Sequence, residues 1–219
     1  MKYTTVIFDM DGLLIDSEPF WEKAGELTLQ EFGVSLTPQQ YASSTGLRTE
    51  EWIDWWFTYF SIDKKHAPQA VKTIVRNAIE LIRQHGQPMP GIDHIFPFFK
   101  EQGFKIGLAT SSPTALVHVV TEKLGIGSYL QAISSAEELP LGKPHPQVFI
   151  NCAHYLGVSP LECIVFEDSF NGMIAAKAAR MKCVVIPSPL LHNETRWDAA
   201  DHKLSSLLDF NKQVLNNLK

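Results

Sequence analysis

The chain has 219 residues, 45% of them hydrophobic and 20% charged, which is enough apolar surface for a core of its own and too long for a scaffold held by disulfides alone. The formal net charge is −5 with no run of Lys or Arg, which excludes a nucleic-acid partner drawn in at long range and leaves room for a small anion neutralised locally. Cys152, Cys163 and Cys183 show no CxxC spacing and read as buried, reduced thiols, and no segment approaches the apolar length of a membrane span.

In chain order, Met1 to Thr5 runs straight into Val6-Ile7-Phe8 with no apolar leader. A cytoplasmic protein is therefore expected. Val6 to Phe8 is wholly apolar and stops at Asp9. Helical patterns follow at Pro19–Phe32, Pro38–Ser43, Thr49–Phe60 and Ala67–Gln84, with no convincing strand among them. Gly86, Pro88, Pro90 and Gly91 then mark a linker. In the third of these helices Trp52, Trp55, Trp56, Tyr59 and Phe60 recur at helical spacing. Such a stripe makes the core of a small helical unit, with one or two rings free to border a pocket.

Beyond the linker, strand and helix alternate. Apolar runs at Phe104–Ala109, Ala132–Ser134, Ile164–Phe166 and Cys183–Pro187 are separated by helical patterns at Pro113–Leu124, Pro146–Leu156 and Asn171–Met181. Continuous rather than alternating apolar runs indicate strands buried on both faces. The expected fold is therefore α/β: a parallel sheet with helices on both faces, carrying an inserted α-helical unit. Residues 1–15 and 88–219 form the expected core and 16–87 the insertion.

Polar residues close each strand. The first ends in Asp9-Met10-Asp11-Gly12, two carboxylates at the sheet edge where open α/β folds bind ligands. Alone, that pattern suits a loop or a cation site as well as a catalytic pair. The second ends in Thr110-Ser111-Ser112, either an N-cap or an anion cradle at a helix start. After the third, Lys143 stands between Gly142 and Pro144, either solvated or neutralising carboxylates and a phosphoryl group. The fourth ends in Glu167-Asp168, a pair suited to a hard divalent cation, Mg²⁺ above all. Together these supply a nucleophile, an acid/base, metal ligands and an anion site. The eight histidines lack metal-binding spacing, and no P-loop is present.

Asp9-Met10-Asp11-Gly12, Thr110, Lys143-Pro144 and Glu167-Asp168 resemble, in order, the signature motifs of the haloacid dehalogenase superfamily of phosphohydrolases. The resemblance covers the whole chain, helical cap included. Phe8 through Glu18, Ser44-Thr45-Gly46-Leu47-Arg48, Lys143-Pro144-His145-Pro146 and Glu167 through Gly172 resemble the β-phosphoglucomutase-like branch, and within it the sugar phosphatases acting on hexitol phosphates and 2-deoxyglucose 6-phosphate.

That resemblance implies a Rossmann-like core, a Mg²⁺ cofactor and hydrolysis of a small sugar or sugar-alcohol phosphate through an aspartyl-phosphate. It implies Asp9 as nucleophile, Asp11 as acid/base, and Thr110 and Lys143 on the phosphoryl group. Asp9, the Asp11 carbonyl, Glu167 and Asp168 would surround the metal. Glu18, Trp21, Arg48, Ser111, Ser112 and Asn171 would face the substrate. The alternative is a phosphosugar mutase. A His usually acts there from the place Trp21 takes, and Trp cannot relay a proton, which favours hydrolysis. A monomer acting on a small molecule, with no nucleic-acid or membrane partner, is expected.

Overall fold

The computed structural model describes residues 3–44 and 46–218. Thr45 of the Ser44–Arg48 motif lies outside the described residues, as do Met1, Lys2 and Lys219.

Six parallel strands form one sheet: β1 (Thr5–Phe8), β2 (Lys105–Thr110), β3 (Ala132–Ser135), β4 (Cys163–Glu167), β5 (Lys182–Val185) and β6 (His202–Lys203). Their spatial order is β3-β2-β1-β4-β5-β6. The chain builds outward from β1 in one direction, then returns to its other side with β4. That reversal opens a crevice beyond the carboxyl ends of β1 and β4. The central strands β1 and β4 read as apolar runs because each face packs on its own helix layer. Val6 and Phe8 point into one hydrophobic layer, and Ile7 into the other. In the first layer Phe8, Phe96, Phe99, Phe166 and Phe210 pack ring against ring in tilted and edge-to-face contacts, the Phe166–Phe210 centroids 4.9 Å apart. In the second, α7 (Gln147–Tyr155) and α8 (Phe170–Ala178) cover the sheet, and all three cysteines are free thiols buried there.

The stretch after β1 holds four helices: α1 (Glu18–Gln30), α2 (Pro38–Ser43), α3 (Thr49–Tyr59) and α4 (Ala67–His85). The structure divides the aromatic stripe of α3: Trp56 is buried with Ile53 and Phe57, Trp52 and Phe60 pack against the core, and Trp55 and Tyr59 are 59% and 64% exposed. The two connections between helical and sheet parts are zipped together. Asp16 N–H donates to the Gln87 carbonyl and Met89 N–H to the Leu14 carbonyl, both at 2.9 Å.

Returning to the sheet part, α5 (Ile92–Glu101) precedes β2, and α6 (Thr114–Leu124) and α9 (Lys212–Asn217) are its other α-helices among the described residues. The sequence pattern did not mark α5, because Pro97 lies inside it and removes one helical hydrogen bond. Burial of Ile92, Ile95, Phe96 and Phe99 on one side holds it nonetheless. The short edge strand β6 also went unmarked. Its side chains are only half-buried, so no apolar run announces it. Among the described residues, no helix is long and apolar enough to cross a membrane.

Candidate active site

β1, β2 and β4 end side by side, and their terminal residues meet in the crevice. At its floor the Lys143 ammonium, 2% exposed, donates to Asp9 Oδ1 at 2.5 Å and Glu167 Oε1 at 2.6 Å. It also reaches the Ala109 carbonyl at 3.3 Å. A cation this deeply buried survives only because two carboxylates and a carbonyl replace its water. Burial alone lowers the Lys143 pKa, but Asp9 and Glu167 outweigh it and hold the side chain charged.

Glu167 is saturated. Its second oxygen accepts from the Asp168 and Ser169 amides at 3.0 and 2.9 Å, and from Ser169 Oγ at 2.9 Å. Ser169 also caps α8 by accepting from Gly172 N–H. Gly172 leaves the carboxylate its space, since a Cβ there would stand 1.8 Å from Glu167 Oε1. The matching cradle for Asp168 is Gly12, at φ +71°, where a Cβ would meet Asp168 Oδ2 at 2.2 Å.

Asp11 sits above the floor in a cage of donors. Ser17 Oγ and Trp21 Nε1 donate to its Oδ1 at 2.7 and 2.9 Å. Ser112 Oγ and Thr110 Oγ1 reach its Oδ2 at 2.7 and 3.4 Å. The helical part and the sheet thus grip one carboxylate from opposite sides. The anion cradle expected at the start of α6 differs in detail. The Ser112 amide turns back on Thr110 Oγ1 at 3.0 Å, and Ser111 Oγ donates to the Gly46 carbonyl at 3.0 Å.

A cavity opens from Asp11 between sheet and helices. Glu18, Trp21, Tyr41, Trp52, Ser111 and Ser112 are among its lining residues. Glu18 is pushed up to about 8, first by burial and then by Asp11 and Asp9. Burial, with Glu18 and Glu22 nearby, raises the Tyr41 phenol and keeps it neutral. Asn171 lines a neighbouring groove that also touches Glu18 and Asp168.

Arg48 is a correction. Its guanidinium turns away from this cavity and donates to the carbonyls of Ala136, Leu139 and Pro140 and to Glu51. Glu51 in turn accepts from the Gly142 amide at 2.8 Å. The backbone of the β3–α7 loop offers converging carbonyls that a planar fork of donors fits. No spacing in the sequence reveals such a partner. Trp55 is likewise outside, on the exposed side of α3.

Ser17, Ser169, Tyr41 and Glu51 stand here without having been singled out by sequence, while Trp52 is the ring of the α3 stripe that borders the cavity. Ser17 and Ser169 each sit within an acidic motif, which is the only local signal they carry.

A ligand oxygen from each of Asp9, Glu167 and Asp168 lies within 4.8 Å of the others. Burial pushes the Asp9 and Asp168 carboxyls upward, and Lys143 does not offset it. A set of oxygen donors with surplus negative charge fits a hard divalent cation. Because Glu167 already has its donors, Asp9 and Asp168 are the carboxylates best placed to face one.

Residues 6–186 match the family model for haloacid dehalogenase-like hydrolases. The chain is 40% identical over 210 residues to hexitol phosphatase B of Escherichia coli, covering 95% of each chain. It is 30% identical to the fructose-1-phosphate phosphatase of the same organism, covering 84% of this chain and 96% of that one. Among solved structures, a β-phosphoglucomutase from Clostridium difficile superposes with a TM-score of 0.87 at 23% identity, covering 99% of this chain and 96% of the other.

Proposed function

The chain belongs to the haloacid dehalogenase-like hydrolases, and from that premise we propose a Mg²⁺-dependent phosphatase of small sugar or sugar-alcohol phosphates. The observation that carries the proposal is the buried Lys143 bridging Asp9 and Glu167, with Asp11 and Asp168 beside it. Relatives named for hexitol, fructose 1-phosphate and phosphorylated carbohydrates support the substrate class. Residues 16–87 act as a cap over a core of 1–15 and 88–219. The reading includes a cytoplasmic location and a monomeric state, and light scattering checks the latter.

Asp9 attacks phosphorus while the ester oxygen leaves, taking a proton from Asp11. The product is an acyl phosphate on Asp9. Asp11, now a base, takes a proton from the water that attacks this phosphorus. Inorganic phosphate departs and the Asp9 carboxylate is restored. Thr110 hydrogen-bonds the transferring group, and Lys143 balances charge on Asp9 and the phosphoryl oxygens. Asp9, Asp168 and the Asp11 carbonyl, with Glu167 behind them, would hold Mg²⁺, which supplies positive charge where the phosphoryl oxygens gather it. The cap excludes bulk water and must open to release product.

The test is phosphate release from a panel of sugar and polyol phosphates, with Mg²⁺ and with chelator, for the wild type and Asp9→Asn. Metal-dependent release by the wild type is expected. Loss of at least about 10⁴-fold is expected in the variant, since no neighbour replaces the nucleophile. A folded Asp9→Asn protein that retains most of its activity would exclude the assignment.

A further inference from the structure

The cavity above Asp11 is where the alcohol half of a bound phosphate ester must sit, because Asp11 faces the leaving oxygen in the proposed reaction. Among the described residues lining it there is no Lys, Arg or His, and its ionisable carboxyls belong to Asp11 and Glu18. Lys143 and Arg48 are committed elsewhere, and Arg196, in the neighbouring groove that shares Glu18 and Tyr41, pairs with Glu194. Lys143 is held below by Asp9 and Glu167. The terminal nitrogens of Arg48 are held by three backbone carbonyls and Glu51, its Nε is buried without a hydrogen-bond partner, and the side chain is only 10% exposed.

The walls are Trp21, Trp52 and Ile74, and the polar groups among them include Tyr41, Ser44 and Thr49. Ring faces and aliphatic carbon suit the C–H surface of a carbohydrate chain, and scattered hydroxyl and carboxyl groups suit its hydroxyls. A second phosphate or a carboxylate would lose its water there and meet no cation. Sites discriminate most strongly when a buried polar group is left without a partner.

We infer that this subsite accepts the uncharged polyhydroxy alcohol of a monophosphate and rejects a second anionic group on the same molecule. The inference rests on the phosphatase reading and narrows it. Bisphosphates, which a phosphosugar mutase needs for priming, fall outside the accepted class.

The experiment compares three esters of one carbon skeleton on the intact protein with Mg²⁺: sorbitol 6-phosphate, 6-phosphogluconate and sorbitol 1,6-bisphosphate. An aryl ester, p-nitrophenyl phosphate, serves as the control. The expected result is a kcat/KM for sorbitol 6-phosphate more than about tenfold above both analogues with a charged tail, the order of one lost ionic partner. A smaller ratio, or no turnover of sorbitol 6-phosphate, overturns the inference while hydrolysis of the aryl ester leaves the phosphatase reading standing. No release from any of the four overturns both. Calorimetric binding of the same esters to Asp9→Asn reads the same ordering without turnover, and equal affinities there also overturn the inference.

Discussion

The Trp21 indole N–H donates to Asp11 Oδ1 at 2.9 Å, joining the first helix of the inserted helical part to the proposed acid/base. Sequence reading assigned Trp21 to the substrate. The structure gives it a second task, fixing which way the Asp11 carboxylate turns. Trp21→Phe keeps most of the ring and removes the donor. Loss of one hydrogen bond to a carboxylate, about 1.5–3 kcal/mol, predicts a fall in kcat of roughly 10- to 100-fold for a sorbitol ester. The aryl ester, whose leaving group needs little protonation, should lose far less. Equal losses for both esters would show that Trp21 acts through packing alone.

Gly172→Ala reverses the ordinary sign. Alanine in a helix is usually favoured over glycine by about 1 kcal/mol. Here the new methyl would overlap the Glu167 carboxylate and push it off Lys143. Breaking a buried ion pair costs about 3–5 kcal/mol. Chemical denaturation should show that loss, together with loss of turnover. A variant as stable as the wild type would mean that Glu167 can move without cost.

Arg48→Ala should leave the sheet part folded and loosen the β3–α7 loop, which Arg48 and Glu51 clasp from the helical part. Backbone amides of residues 136–142 should exchange faster with solvent. Turnover should drop about tenfold, the scale of about 1.4 kcal/mol of lost hydrogen bonding. A rise in KM with unchanged exchange in that loop would return Arg48 to the substrate.

At the far edge of the sheet, Asp201 accepts from Lys177 Nζ at 2.5 Å, Lys182 Nζ at 2.7 Å and the Cys183 amide at 2.9 Å. Burial raises its pKa, but the two lysines and the amide outweigh burial and lower it. A lowered folded value means that its contribution is complete above the unfolded value of about 3.9 and disappears as pH falls through the folded one. Asp201→Asn should cost about 2 kcal/mol near neutral pH. Urea denaturation should show the wild-type advantage shrinking below about pH 4. An advantage that persists unchanged in acid would assign it to shape rather than charge.

The sheet and its acidic edge were legible in the sequence because both depend on local chemistry. Val6-Ile7-Phe8 and Ile164-Val165-Phe166 are apolar on both faces, and a chain buried on both sides has no other composition available. Carboxylates that close such runs cannot stay unpaired, so Asp9, Asp11, Glu167 and Asp168 announced a site together with Lys143. The α5 helix was not legible. Its Pro97 argues locally against a helix, and the burial that overrides it comes from distant strands.

The partners of Arg48, Trp21 and Ser112 were decided only by tertiary structure. A guanidinium serves a substrate or three carbonyls equally well, and the choice depends on residues 136–140, about ninety positions away. The same holds for the charge of the leaving-group cavity, which is set by which side chains are spent elsewhere. Residue types and spacing determine which groups are costly to bury. Only the fold determines which partner each one meets, because hydrogen bonds and ion pairs act over a few ångströms and sequence distance says nothing about that separation.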